Sequence, residues 1–267
     1  MFRTCIFETK FYIMKHLFTF LFLVIGFAGT TQNTAIGSNE KLIFSASYNM
    51  SGLLTEIAQV TMETSEVKTS SATLLKLKCT AATYSSFDNY FKIRDLYESY
   101  VSPTTLAPYL YKRDINEGSY YKFEQYKFNR KSNTVGSTMK KKKTEENKTV
   151  KVGANTRDIV STIYHIRNLD IDKASPGDAQ NFTFLFDNEE LIISVTYLKK
   201  EIINTNLGKK ECYKLAVSLK NDDALKGTNE NLLWLTADGN KLPVYAKFKI
   251  AVGTGELKLK SASGLKN

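Results

Sequence analysis

Residues 232–260 read LLWLTADGNKLPVYAKFKIAVGTGELKLK, and this stretch decides the fold class. Leu232 to Thr236 is an apolar run that ends at the turn Asp238-Gly239-Asn240. Val244, Ala246, Phe248 and Ile250 then alternate with Tyr245, Lys247 and Lys249, and Gly253-Thr254-Gly255 turns the chain into Leu257-x-Leu259. Side chains on a strand point to opposite faces at every second residue, so this alternation is the signature of a half-buried strand. Gly-containing turns between such runs signal hairpins. Two consecutive hairpins with one apolar face predict an antiparallel sheet.

The same pattern extends backwards. Lys41 to Tyr48 reads as a first strand, and Glu56 to Thr64 as a second with Ala58, Val60 and Met62 on one face, joined through Ser51-Gly52. Leu74 to Tyr84, Tyr90 to Tyr100, and Tyr120 to Phe128 follow, the last after a connection holding Pro103 and Pro108. Asn181 to Phe186, Leu191 to Leu198 and a hairpin around Asn206-Leu207-Gly208 complete about ten strands. One helix stands out over 158–169: Asp158 is a good N-cap, and Ile159, Val160, Ile163, Tyr164 and Ile166 fall at helical spacing. The expected fold is mainly β. A single antiparallel, strongly curved sheet or half-open β-barrel limits exposed edges, with one amphipathic helix packed on it or plugging it. Aromatics at 12%, with 16 Phe and 15 Tyr against 4 Pro, favour the same reading.

The N-terminus carries an export pattern. Leu17 to Gly29 is apolar or small except for Thr19, and Lys15 and His16 precede it. Such a run is shorter than the ~20 residues a membrane-spanning helix needs, and Ala28-Gly29 supplies a cleavage region. Residues 1–29 are therefore expected to be an export signal, with Met14 as an alternative start. Residues 30–39 read as a polar leader and 40–267 as a single β domain. That predicts a protein of the periplasm or outer surface of a bacterium, with no transmembrane span after signal removal.

Charge and cysteines narrow the partners. The chain has a formal net charge of +10, and removing Arg3, Lys10, Lys15 and Glu8 with the leader leaves +8. The basic residues are spread apart from Lys140 to Lys143, which read as a solvated hairpin tip beside Glu145 and Glu146. Export makes nucleic acid an unsuitable partner. Cys79 and Cys212 could form one bridge in an exported chain, but both lie in alternating apolar segments, where a free thiol behaves as a small hydrophobe, so no essential disulfide is expected.

No catalytic constellation emerges. His165 is the only histidine after the leader, there is no Gly-x-Ser-x-Gly elbow, and Gly253-x-Gly255 lacks the third glycine of a dinucleotide loop. Asp170-x-Asp172 and Asp222-Asp223 lack the further carboxylates of a calcium loop, so neither a metal nor a cofactor is implied. The candidate ligand-binding residues are charges flanked by apolar strand positions: Arg94, Asp95, Arg113, Glu117 and Arg167. Their expected role is contact with an apolar or amphiphilic ligand, such as a lipid, or with an envelope protein partner. The arginines are candidate anchors for an anionic head. A carboxylate pair formed by Asp95 and Glu117 is the enzymatic alternative, an envelope hydrolase.

In order along the chain, several short motifs resemble the bacterial envelope family known as domain of unknown function 3108. They are Glu40-Lys41-Leu42-x-Phe44, Phe91-x-Ile93-x-Asp95, Thr105-Leu106-x-Pro108 and Glu117-Gly118-x-Tyr120. The helix contributes Asp158-Ile159-x-Ser161-x-x-Tyr164-x-x-Arg167. The last are Leu207-Gly208-x-x-x-Cys212-x-Lys214-Leu215 and Trp234-Leu235-x-x-Asp238 with Pro243-Val244. The resemblance runs from about Glu40 to Gly255. It implies an exported single β domain, carries over no catalytic residue, and raises Asp95, Glu117 and Arg167 above the other charges.

Overall fold

Alternation in this chain reaches further than the sequence reading, because strands with mixed polar faces give no clean pattern. The computed structural model describes residues 32–50, 52–220, 231–250 and 253–267; the export signal expected at 1–29 lies outside them. Fourteen strands form: β1 (Lys41–Met50), β2 (Leu53–Lys68), β3 (Thr73–Thr83), β4 (Arg94–Val101), β5 (Pro108–Glu117), β6 (Tyr120–Asn129) and β7 (Thr134–Lys141). They continue as β8 (Thr144–Lys151), β9 (Ala179–Phe186), β10 (Glu189–Thr205), β11 (Gly208–Leu219), β12 (Leu232–Thr236), β13 (Pro243–Ile250) and β14 (Gly253–Ser263). The estimate of about ten strands is thus too low. It lacks β5, whose inward face is charged, and the Lys-rich hairpin β7–β8, whose β8 is exposed almost throughout.

All fourteen belong to one antiparallel sheet in the order β8-β7-β6-β5-β4-β3-β2-β1-β14-β13-β12-β11-β10-β9. Every ladder joins sequence neighbours except β1–β14, so the sheet is two meanders, β1 to β8 and β9 to β14, joined through the first and last strands. The sheet curls into a barrel whose edges β8 and β9 do not pair with each other. The connection after β8 fills that seam instead. Arg157 bridges Phe184 of β9 in parallel, accepting from Leu185 N at 2.8 Å and donating to Thr183 O at 3.0 Å.

The helix α1 (Ile159–Ile166) follows this seam and packs against β3, β4 and β9. Asp158 caps it: Oδ1 accepts from Ser161 N at 2.8 Å, and Oδ2 accepts from the Ser99 hydroxyl of β4 at 2.6 Å. The capping box ties the helix start to the barrel wall as well as satisfying its first turn. At the other end Arg167 is 1% exposed. Its Nη1 and Nη2 donate to Glu40 Oε1 and Oε2 at 2.6 and 2.7 Å, while Nε and Nη2 donate to Asn240 O at 3.2 and 3.0 Å. One side chain therefore joins the helix end, the entry to β1 and the β12–β13 turn.

The segment before β1 packs into this same end rather than trailing as a leader. Ala35 and Ile36 are buried, and Asn168 Oδ1 accepts from Thr34 N at 2.8 Å and Ala35 N at 3.2 Å. The two apolar residues are too short a run to register as periodicity. The C-terminus closes over them at Gly264, whose φ is +64° and where a Cβ would lie 1.9 Å from Asn39 O. Only glycine fits there.

Arg167→Met should cost about 3–5 kcal/mol of unfolding free energy, because it leaves the Glu40 carboxylate buried without its partner. Adding Glu40→Leu should recover a substantial part of the loss. Urea unfolding measures both; a single substitution within ~1 kcal/mol of the parent would show that the pair does not hold this end together.

Candidate functional site

Seen from the residues that point inward, the barrel lumen has two unlike walls. The wall of β1, β2 and β10 to β14 is apolar. With α1 it encloses a cavity of about 460 Å³. Phe44, Val60, Met62, Leu233, Phe248 and Leu257 line it, and Ile163 of α1 is exposed into it. That volume falls within the ~300–1,000 Å³ of small-molecule sites.

The wall of β4, β5 and β6 is charged. β6 turns Lys122, Glu124 and Tyr126 inward, each nearly fully buried, and leaves Tyr120 and Tyr121 in solvent. This reverses the usual arrangement of a half-buried strand. Cross-strand pairing sets Arg113 opposite Glu124, with Arg113 Nη2 2.8 Å from Glu124 Oε2 as an ion-pair contact rather than a well-directed hydrogen bond. The β9–β10 turn reaches across to them: Asp187 accepts from both Arg113 and Lys122, and Asn188 N donates to the Tyr126 hydroxyl at 3.1 Å. Asp187 and Asn188 have φ of +50° and +68°, which the two-residue hairpin turn requires and which Asp and Asn tolerate.

Asp95 of β4 and Glu117 of β5 complete the wall. The two carboxyl groups act on each other's protonation, and Asp95 Oδ1 accepts from Asn116 N at 2.9 Å. Burial raises both above the ordinary carboxylate range, and the charge of Asp95 raises Glu117 further. Glu124 is also raised, chiefly by burial, against the pull of Arg113. Asp187 moves the other way: burial opposes ionisation, but Lys122 and Arg113 hold it below the usual range. Among the described residues Tyr111 Oη and Arg113 Nε on this wall, and Ser137 Oγ on the neighbouring β7, are buried and make no hydrogen bond to another protein group.

The two walls meet at Phe186 and Tyr97. Both line the apolar cavity; the Phe186 ring lies under the Arg113 guanidinium with 4.2 Å to its centroid, and the Tyr97 phenol feels Asp95 and Arg113. A hydrocarbon chain in the cavity would thus have a polar wall beside one end.

Of the five sequence candidates, the structure brings together Asp95, Arg113 and Glu117. Arg94 instead points outward, where its Nη2 pairs with Asp88 Oδ2 at 2.6 Å. Arg167 sits at the closed end, held by Glu40, although its side chain borders the cavity. Every candidate arginine already has a carboxylate partner, and the charged wall carries four carboxyls against two cations. No surplus positive charge awaits an anionic head. Asp95 and Glu117, the carboxylate pair of the hydrolase alternative, lie on the adjacent strands β4 and β5. Lys122, Glu124 and Asp187 escaped the sequence reading because β6 looks like an aromatic strand and Asp187 like a plain turn residue. The one available signal was the even-numbered run Lys122-x-Glu124-x-Tyr126.

His165 packs edge-on to Phe182 with ring centroids 5.6 Å apart, and burial lowers its pKa to about 4. Asp170 pairs with Lys173 and Asp172 accepts from Tyr213, while Asp222 and Asp223 lie outside the described residues. Cys79 and Cys212 are free thiols, and burial pushes Cys79, at the cavity wall, up to about 12.

A carboxyl raised by folding binds its proton more tightly in the native state, so the stability it contributes is present at low pH and is lost as pH rises through the folded pKa. Asp95→Asn keeps the acceptor for Asn116 N and removes this penalty. The variant should be more stable than the parent at pH 8 and lose that advantage by pH 4, as read by urea unfolding. An identical difference at both pH values would show that Asp95 titrates normally.

The fold is similar to that of a β-barrel-like protein of domain of unknown function DUF1849 from Brucella abortus. The TM-score is 0.56 at 8% identity, covering 86% of this chain and 98% of that one. A protein described as exported, with a YmcC-like fold, from Bacteroides fragilis is similar at a TM-score of only 0.38 and 11% identity, over 86% of this chain and 97% of its own, and enters no argument. No curated protein matches the sequence. Among the described residues no helix is long and apolar enough to cross a membrane. Residues 44–260 match a protein family of unknown function, and the motifs that frame the lumen and its helix lie within that span or just before it: the chain belongs to the DUF3108 family.

Proposed function

We propose that this protein is an exported cell-envelope protein that holds one apolar or amphiphilic molecule in its barrel lumen, and that it binds rather than catalyses. The observation that carries the reading is the junction at Phe186. There a cavity of about 460 Å³ with an apolar lining meets a wall of buried charges. A concave apolar site with a few convergent polar groups is the common form of a small-molecule site. The apolar chain lies over α1 and the polar head reaches Tyr97, Arg113 and Glu124. Because carboxyls outnumber cations on that wall, the head is an uncharged hydrogen-bonding group rather than an anion. The apolar run Leu17 to Gly29 behind Lys15 supports export.

Native mass spectrometry of protein taken from its own envelope, followed by organic extraction, should show one co-purifying amphiphile per chain. Val60→Trp, which fills the lumen, should weaken binding of a fluorescent long-chain probe at least tenfold while the protein stays folded. A ligand-free protein whose probe binding is unmoved by Val60→Trp would end the proposal.

Head-group selection gives an independent check. At pH 7.5 a monoacylglycerol should displace the probe at lower concentration than the fatty acid of equal chain length. A stronger fatty acid would mean that Arg113 and Lys122 act as an anion site despite their carboxylate partners.

Export is read from the N-terminus of protein recovered from the envelope fraction. The expected first residue lies just after Gly29. A chain that retains Leu17 to Gly29 would make this segment an anchor.

A further inference from the structure

In an antiparallel meander alternate turns leave the sheet at the same end, and large apolar side chains are exposed toward both, with Tyr109, Ile202 and Leu265 toward one. That end is closed by Arg167, Glu40, the segment 33–36 and the C-terminus. The other carries, among the described residues, the turns β1–β2, β3–β4, β5–β6 and β7–β8 and also the Asp187-Asn188 turn β9–β10, and the cavity rises toward it from α1. Three of these turns expose large apolar side chains: Leu53 at 71% and Leu54 at 38%, Tyr90 at 86% and Phe91 at 53%, Tyr120 at 44% and Tyr121 at 37%. The turns touch each other. Gly118 N donates to Lys92 O at 2.8 Å, and a Cβ on Gly118 would lie 3.4 Å from the Phe91 ring. The fourth turn is Lys140 to Lys143. Lys140 pairs with Glu145, and Lys142 takes a φ of +48° at the turn itself.

We propose that this open rim docks on an anionic lipid bilayer, with Leu53, Tyr90 and Phe91 entering the interface and Lys141 to Lys143 contacting the head groups. The inference deepens the amphiphile-binding reading, because it sets the cavity mouth against a membrane. Several features point to a bilayer rather than a protein. The apolar groups stand on separate turn tips instead of forming one flat patch. Tyr is the residue type that favours the membrane–water interface. A lysine cluster beside such groups supplies the second signal that peripheral attachment requires. The +8 left without the leader has the matching sign.

The test uses the full chain and vesicles of phosphatidylcholine with or without phosphatidylglycerol. Tyr90→Trp reports the rim, and Tyr109→Trp reports the opposite end of the sheet, where β5 begins. Tyr90→Trp should shift to the blue and be quenched by brominated lipid in anionic vesicles only, while Tyr109→Trp should not change. Lys141→Glu with Lys143→Glu should lower binding at least about fivefold per lysine. Leu53→Ser with Tyr90→Ser, two side chains already in solvent, should lower it at least tenfold without altering the urea midpoint. Val60→Trp should dock like the parent, so a failed cavity and a failed rim are told apart. Binding that survives the rim variants, or that shifts Tyr109→Trp equally, assigns attachment to Leu17–Gly29 and overturns the proposal. Binding to an acidic protein but to no vesicle overturns it as well.

Discussion

The buried pair between Arg167 and Glu40 is the constraint on which the closed end of this barrel depends. Removing two charges from water costs several kcal/mol per ion, and the pair is tolerable only because the geometry is bidentate and Asn240 O takes further guanidinium N–H groups. Its partners come from three places far apart in sequence: the end of α1, the residue before β1, and the β12–β13 turn. Once they meet, the orientation of the helix, the entry of the first central strand and the position of the second half of the sheet are fixed together. Asp158 does the same at the other end of the helix, where its carboxylate serves both Ser161 N and the Ser99 hydroxyl. The helix motif is thus read as two pins eight residues of helix apart, with Tyr164 buried between them.

With the helix pinned, the lumen above it is left to the strands, and the strands divide it. The β1, β2 and β10 to β14 side presents aliphatic and aromatic groups, as any half-buried sheet does. The β4 to β6 side places carboxyls and cations inside among Tyr97, Tyr111 and Tyr126, and leaves Tyr120 and Tyr121 outside. Burial raises Asp95, Glu117 and Glu124, and a wall of this kind is costly to fold. Such cost concentrates at binding sites, where a partner for the buried groups comes from outside the chain. The seam between β8 and β9, closed by a connecting segment instead of a ladder, lets the β9–β10 turn enter the lumen and bring Asp187 to that wall.

The meander also gives the barrel a direction. Its closed end is rich in satisfied backbone groups and side-chain amides such as Asn33, Asn168 and Asn240. The open end exposes Leu53, Tyr90 and Phe91 near a lysine turn. Alternate turns share an end whatever their sequence, so residues up to ninety positions apart gather at one rim without any local signal that they belong together.

The sequence by itself determined the class of the fold. Alternation in 244–250, turn chemistry at 238–240 and 206–208, and the capped helix after Asp158 are local properties, readable because period 2 and period 3.6 are imposed by backbone geometry. The family motifs were legible as a resemblance in order and spacing, whereas the free thiols of Cys79 and Cys212 are seen in the structure. Three strands stayed hidden: β5 mixes charge with tyrosine on its faces, and β7 and β8 are too polar for an apolar period to show. Tertiary structure alone decided which charges share a wall. Arg94, Arg113 and Arg167 look alike in sequence, yet one is at the surface, one in the lumen and one at the closed end. Those positions follow from strand register and from partners such as Asp88, Glu124, Asp187 and Glu40, and a one-residue slip in register would send every side chain of a strand to the other face. Proximity across a sheet is set by pairing, not by spacing along the chain.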